Sequence, residues 1–240
     1  MKNKIELSPN TSKKTRHKSN ILFVIIHYTG MQSEIESITR LKDKNSNVSC
    51  HYLINRKGVV TLMVPDNKIA WHAGKSKWKK FKDLNKYSIG IELVNKGHQY
   101  GYQNFTKAQM KSLIQICKKL KKKYKIDANN FLGHSDVAPL RKIDPGEKFP
   151  WQNLSKYNLG VWYKKRELKL KEQKIPKTLF FKNLYKIGYR YFNLKNRNNK
   201  KDTQLIKVFQ QRYLPKNVSG KIDKKTLEIS HFLASSRKTS

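Results

Sequence analysis

A chain of 240 residues that is 37% hydrophobic has room for one sizeable domain plus a small one, and 12 Tyr and 10 Phe help to fill a core. A net charge of +37 suits an anionic partner such as nucleic acid, an acidic polymer or a membrane surface, but the lysines are spread along the whole chain, which equally suits solvated faces. The two cysteines form no CxxC, so no disulfide framework is read. No stretch is long enough to span a membrane, and the apolar run at residues 21–26 is shorter than the about 7–15 residues of a signal-peptide core, so no signal peptide is read either.

Residues 1–20 are polar and basic and are expected to form a disordered tail. Ile21-Leu22-Phe23-Val24-Ile25-Ile26 reads as a strand buried on both faces, ending at His27-Tyr28-Thr29-Gly30. Ile35, Ile38 and Leu41 predict a helix over residues 33–43. Residues 51–54 and 59–64 flank Asn55-Arg56-Lys57-Gly58 as a hairpin. After Ile69-Ala70-Trp71-His72 and a Lys/Trp-rich loop, residues 88–95 form a strand with Glu92 among apolar neighbours. Thr106 and Gln109 make a capping box for a helix whose apolar face carries Met110, Leu113, Ile114, Cys117, Leu120 and Tyr124. Phe131-Leu132 begins another strand. The fold class is α/β, with a central mixed β-sheet flanked by helices and a small C-terminal three-helix domain.

The domain reading is a catalytic unit over residues 21–162, a charged linker over 163–177 and a separate helical unit over 178–240. In that unit Leu179 to Tyr189 is one helix, Asp202 caps a second, and Asp223 is the N-cap of a third.

Of seven histidines, His27 and His134 directly follow strand runs, and strand ends in α/β sheets are where ligands are held. Residues 133–146 form a loop stiffened by Pro139, Pro145 and Gly146. In extended backbone Lys142 and Asp144 point to the same side, so Asp144 can ligate a metal while Lys142 reaches over it. Two His and one Asp with a fourth position open are the donor set of a catalytic zinc site. Glu92 is costly to bury unless it is paired or functional. His51 beside Cys50 is no metal pair, because neighbours in a strand face opposite ways.

Residues 23–30, 49–54, 71–74, 88–95 and 133–146, in that order and spacing, resemble the zinc-dependent N-acetylmuramoyl-L-alanine amidases of the amidase-2 type. That family shares its fold with phage lysozyme-amidases and peptidoglycan recognition proteins. The resemblance covers about residues 21–160. It implies Zn2+ on His27, His134 and Asp144, Glu92 as general base and acid, and Lys142 as the group that stabilises the oxyanion. Trp71 and His72 are expected to line the substrate groove. The scissile bond it implies joins the lactyl carbonyl of N-acetylmuramic acid to L-alanine in peptidoglycan or muropeptides. A non-catalytic peptidoglycan-binding protein is the alternative, although such proteins typically lose a zinc ligand.

Leu184 to Tyr189, Val208 to Gln211 and Gly220 to Thr226 resemble a three-helix peptidoglycan-binding domain. The two-unit layout is similar to that of envelope amidases rather than single-domain cytosolic ones. It implies a cell-envelope or periplasmic setting, with the cytoplasm as the alternative. A monomer is expected. Without a groove-reading motif, no specific nucleic acid is expected as a partner.

Overall fold

In the computed structural model, residues 3–168, 176–196 and 198–236 are described. The strands are β1 (Asn3–Ile5), β2 (Phe23–Tyr28), β3 (Tyr52–Ile54), β4 (Val60–Leu62), β5 (Lys77–Trp78), β6 (Phe81–Lys82), β7 (Ser88–Leu93) and β8 (Phe131–Gly133). The α-helices are α1 (Glu34–Lys42), α2 (Lys107–Tyr124), α3 (His134–Val137), α4 (Trp151–Ser155), α5 (Lys177–Ile187), α6 (Asn199–Tyr213) and α7 (Lys224–Ser235). Six strands form one sheet in the order β1-β4-β3-β7-β2-β8. Only β3 and β4 run antiparallel, as the hairpin requires; the other pairs are parallel.

The sheet is buried on both faces because β2 alternates between two apolar layers. Val24 and Ile26 pack with Ile89, Ile91 and Phe131 beneath Met110, Leu113, Ile116, Cys117 and Leu120 of α2. The capping box at Thr106 and Gln109 starts that helix, and Lys125 in a left-handed conformation ends it. On the other face Phe23, Ile25 and Leu132 share one cluster with Phe180, Leu184, Phe209 and Leu227 of α5, α6 and α7. The three C-terminal helices are therefore a layer of the same core and not a detached unit. Trp78, at the tip of the small β5–β6 hairpin, joins the layers by packing edge-on to Tyr189. Gly188, at φ +134°, ends α5 there; a Cβ on it would lie 2.6 Å from the Trp78 ring.

Several expectations need correction. Residues 3–20 are not a disordered tail. β1 pairs in parallel with β4, and the buried Arg16 guanidinium donates to the carbonyls of Asp66, Asn85 and Ser88. These tie the segment to the sheet through contacts distant in sequence. Ile35 is 77% exposed, and of the three apolar residues expected on the inner face of α1 only Ile38 and Leu41 pack against a core cluster. Asn198 rather than Asp202 caps α6, its side chain accepting from Lys201 N. Of the expected linker, residues 169–175 lie outside the described residues, while Tyr163 and Leu168 pack against the shared cluster.

Candidate metal centre and active site

The parallel register of β2 and β7 sets His27 directly beside Glu92. Both point to the sheet face that carries Phe23 and Ile25, and the cavity they open into is lined by no residue of α5, α6 or α7. The next strand, β8, ends at Gly133 and delivers His134 as the first residue of α3. The loop after α3 returns Asp144 to the same point, its carbonyl accepting from Ser135 N at 2.8 Å.

The hydrogen bonds fix the tautomers. Ser88 Oγ donates to the Leu84 carbonyl at 2.6 Å, so it can only accept from His72 Nε2, 3.2 Å away. His72 Nδ1 is then an acceptor for His27 Nε2–H at 3.0 Å, which leaves His27 Nδ1 a bare lone pair. His134 Nε2 lies 3.1 Å from the Ala73 carbonyl and must carry its proton, so His134 Nδ1 is bare as well. These two nitrogens are 3.0 Å apart, and each is 3.1 Å from Asp144 Oδ2. Three acceptors converge with no donor among them, an arrangement that calls for a cation. His27, His134 and Asp144 are all buried and are the only cluster of metal-ligand type among the described residues.

The electrostatics agree. Burial, then the neighbouring His134, pushes the His27 pKa down to about 4 and keeps the ring neutral. Glu92 Oε1 stands 4.0 Å from His27 Nδ1, and its buried Oε2 has no hydrogen-bond partner. Burial and the Asp144 charge push its pKa up to about 8, while Lys142 pulls it down. A carboxyl of that kind can exchange a proton near neutral pH.

These groups open into a cavity of about 370 Å³ that is also lined by Tyr28, Arg40, Trp71, Arg141 and Lys142. Among the residues singled out from sequence, His27, His134, Asp144 and Glu92 come together, and Lys142 and Trp71 line the same cavity. His72 forms part of the same wall, with both its ring nitrogens committed to His27 and Ser88.

Sequence reasoning missed the supports. His72 and Ser88 orient His27, and Arg141 Nη2 braces the Ala73 carbonyl at 2.7 Å. One signal was available in Gly90, inside a strand, where a Cβ would meet the His72 ring at 2.4 Å.

Residues 17–147 match the Amidase_2 family, described as N-acetylmuramoyl-L-alanine amidase. The chain is 33% identical over 229 residues to the N-acetylmuramoyl-L-alanine amidase AmiD of Escherichia coli, covering 89% of this chain and 82% of that protein. It is 42% identical over 106 residues to the 1,6-anhydro-N-acetylmuramyl-L-alanine amidase AmpD of Haemophilus influenzae, covering 44% of this chain and 55% of AmpD. A solved structure of E. coli AmiD with the substrate anhydro-N-acetylmuramic acid-L-Ala-D-gamma-Glu-L-Lys superposes with a TM-score of 0.81 at 29% identity, covering 93% of this chain and 91% of that one. AmpDh3 of Pseudomonas aeruginosa superposes with a TM-score of 0.83 at 26% identity, covering 94% of each chain.

Proposed function

The chain belongs to the Amidase_2 family of N-acetylmuramoyl-L-alanine amidases, and from that premise we propose that it is a zinc enzyme that hydrolyses the amide between N-acetylmuramic acid and L-alanine in peptidoglycan fragments. The observation that carries this reading is the convergence of His27 Nδ1, His134 Nδ1 and Asp144 Oδ2 beside the unpartnered Glu92 carboxyl. Two imidazoles and one carboxylate suit zinc and leave a coordination position for substrate chemistry. When bound there, zinc supplies Lewis acidity to the scissile carbonyl and lowers the pKa of a water to roughly 7.

The residues divide the remaining work. His72 and the Ala73 carbonyl hold the two imidazoles in the tautomers that free both Nδ1 atoms. Glu92 takes the proton of the attacking water and returns it to the alanine nitrogen as the C–N bond breaks. Lys142, on the cavity wall, donates to the oxyanion that develops on the lactyl carbonyl. Trp71 offers a face for the sugar or the peptide. A complete ligand set together with a buried, unpartnered carboxyl beside it supports catalysis over simple binding.

The substrate class rests on the relatives. AmiD is seen with an anhydro-muramyl tripeptide and AmpDh3 with an anhydromuramic pentapeptide. We extend that class, soluble muropeptides, to this chain, and assign residues 178–240 and the +37 charge to holding it near the anionic wall. The test is to incubate the protein with anhydro-muramyl tripeptide and identify the products by mass. The reading requires a free peptide beginning at L-alanine and a sugar with a free lactyl carboxylate. Intact substrate, or cleavage at any other bond, would refute it.

A further inference from the structure

We infer that Arg212 and Tyr189, both from the C-terminal helical layer, are positioning residues of the metal centre that act through Asp136. Asp136 lies in α3, two residues after His134, and is 1% exposed. Its Oδ2 accepts from Gly133 N at 2.8 Å and from Arg212 Nη1. Its Oδ1 accepts from the Tyr189 hydroxyl. The Arg212 guanidinium also donates through Nη2 to the Phe131 carbonyl at 3.0 Å and lies 3.9 Å from the Trp151 ring centre. One side chain thus grips the start of β8, and through Asp136 it holds the end of β8 and the helix that follows.

The gripped segment is Phe131 to Asp136, and His134 is inside it. His134 Nδ1 can meet His27 Nδ1 and Asp144 Oδ2 only if the β8–α3 turn keeps its angle. Stability alone does not explain the choice of residues, because a buried ion pair is often no better than apolar packing of the same volume. The Arg212 Nε even lacks a hydrogen-bond partner. What the pair provides is direction: a planar, forked donor fits one placement of the Asp136 carboxylate and the Phe131 carbonyl. The C-terminal helices, read from sequence as a separate unit, in this way help to set the catalytic geometry.

The inference rests on the zinc reading above, so the test separates the two. Full-length protein is stripped of metal and titrated with zinc against a competing chelator, for wild type, Arg212→Gln, Arg212→Lys and Tyr189→Phe. Arg212→Gln should bind zinc about 10–100-fold more weakly, the usual effect of losing a group that orients a ligand. Its kcat should fall with KM little changed, since the substrate contacts remain. Arg212→Lys should recover part of the affinity, because it keeps the charge but cannot span both acceptors. Tyr189→Phe should shift affinity in the same direction by less, and it carries the decision if Arg212→Gln does not fold. Folded variants that melt earlier yet bind zinc as wild type does would overturn the inference and leave the metal site standing. A wild-type protein that binds no zinc would overturn both.

Discussion

Gly90 shows how much one missing atom contributes to the site. The His72 ring lies flat on β7 where a side chain would otherwise project, and from there it accepts from His27. Gly90→Ala should keep the fold but force the His72 ring off the strand, releasing His27 from its tautomer. Zinc affinity should drop about 10–100-fold, as for other losses behind a metal ligand, and a chelator competition measures it directly; unchanged affinity would mean that His72 does not orient His27. Glu92 offers the opposite case, a group whose loss should spare the metal. Glu92 lies beside the converging ligand atoms of His27, His134 and Asp144 but is not one of them. Glu92→Gln should therefore retain zinc while kcat falls by about 10²–10⁴. A rate near wild type would assign the proton transfer to another group.

At the scale of elements, the docking of α2 on the sheet has a polar anchor. Asp66, after β4, accepts from Tyr52 of β3 at 2.6 Å and from Tyr124 and Lys123 of α2 at 2.7 and 2.9 Å. Burial would raise its pKa, but these donors outweigh burial and lower it. A carboxyl with a depressed folded pKa stabilises fully above its unfolded value of about 3.9, and the contribution is lost as pH falls through the folded value. Lys123 is largely exposed, so most of the effect belongs to the tyrosines. Asp66→Asn should cost about 1–3 kcal/mol at pH 7, and the gap from wild type should narrow as the pH is lowered below about 4. Urea unfolding across that range measures it, and a gap independent of pH would remove Asp66 from the account.

The elements legible from sequence were those with local signals. They include the apolar runs of β2, β7 and β8, the capping box of α2 and the Asp223 cap of α7. The loop from Gly133 to Gly146 was legible because its histidine, lysine and aspartate follow a strand at short spacing. β1 was not, since Asn3–Ile5 is three residues long and gains its partner from β4. The β5–β6 hairpin hid in a lysine-rich loop because only Trp78 is buried there. The hold of His72 on His27 was not legible, because its partners, His27 and Ser88, are set by strand register and not by sequence distance.

For the whole molecule, the decisive feature is the cluster shared by the sheet and the last three helices. A charged linker suggested two independent units, and on that view a chain cut after about residue 165 would keep its activity on soluble substrate. The packing argues the reverse. Truncation would expose Phe23, Ile25, Trp78, Leu132 and Val137 together. Each large side chain buried contributes about 1.5–3 kcal/mol, so the loss is comparable with the roughly 5–15 kcal/mol that stabilises a domain. The truncated chain should aggregate or melt without cooperativity, which calorimetry will read. A truncated protein with a cooperative transition near that of the full chain would restore the two-unit view.

We propose that one zinc, held by His27, His134 and Asp144, makes this chain an amidase. The most direct test is to strip the full-length protein of metal, add zinc in steps, and follow release of the L-alanine peptide from anhydro-muramyl tripeptide. Release should be absent in the metal-free protein, rise linearly with zinc and level off at one equivalent per chain, with no rise in His134→Ala. Full release without metal, or an undiminished rise in His134→Ala, would contradict the account.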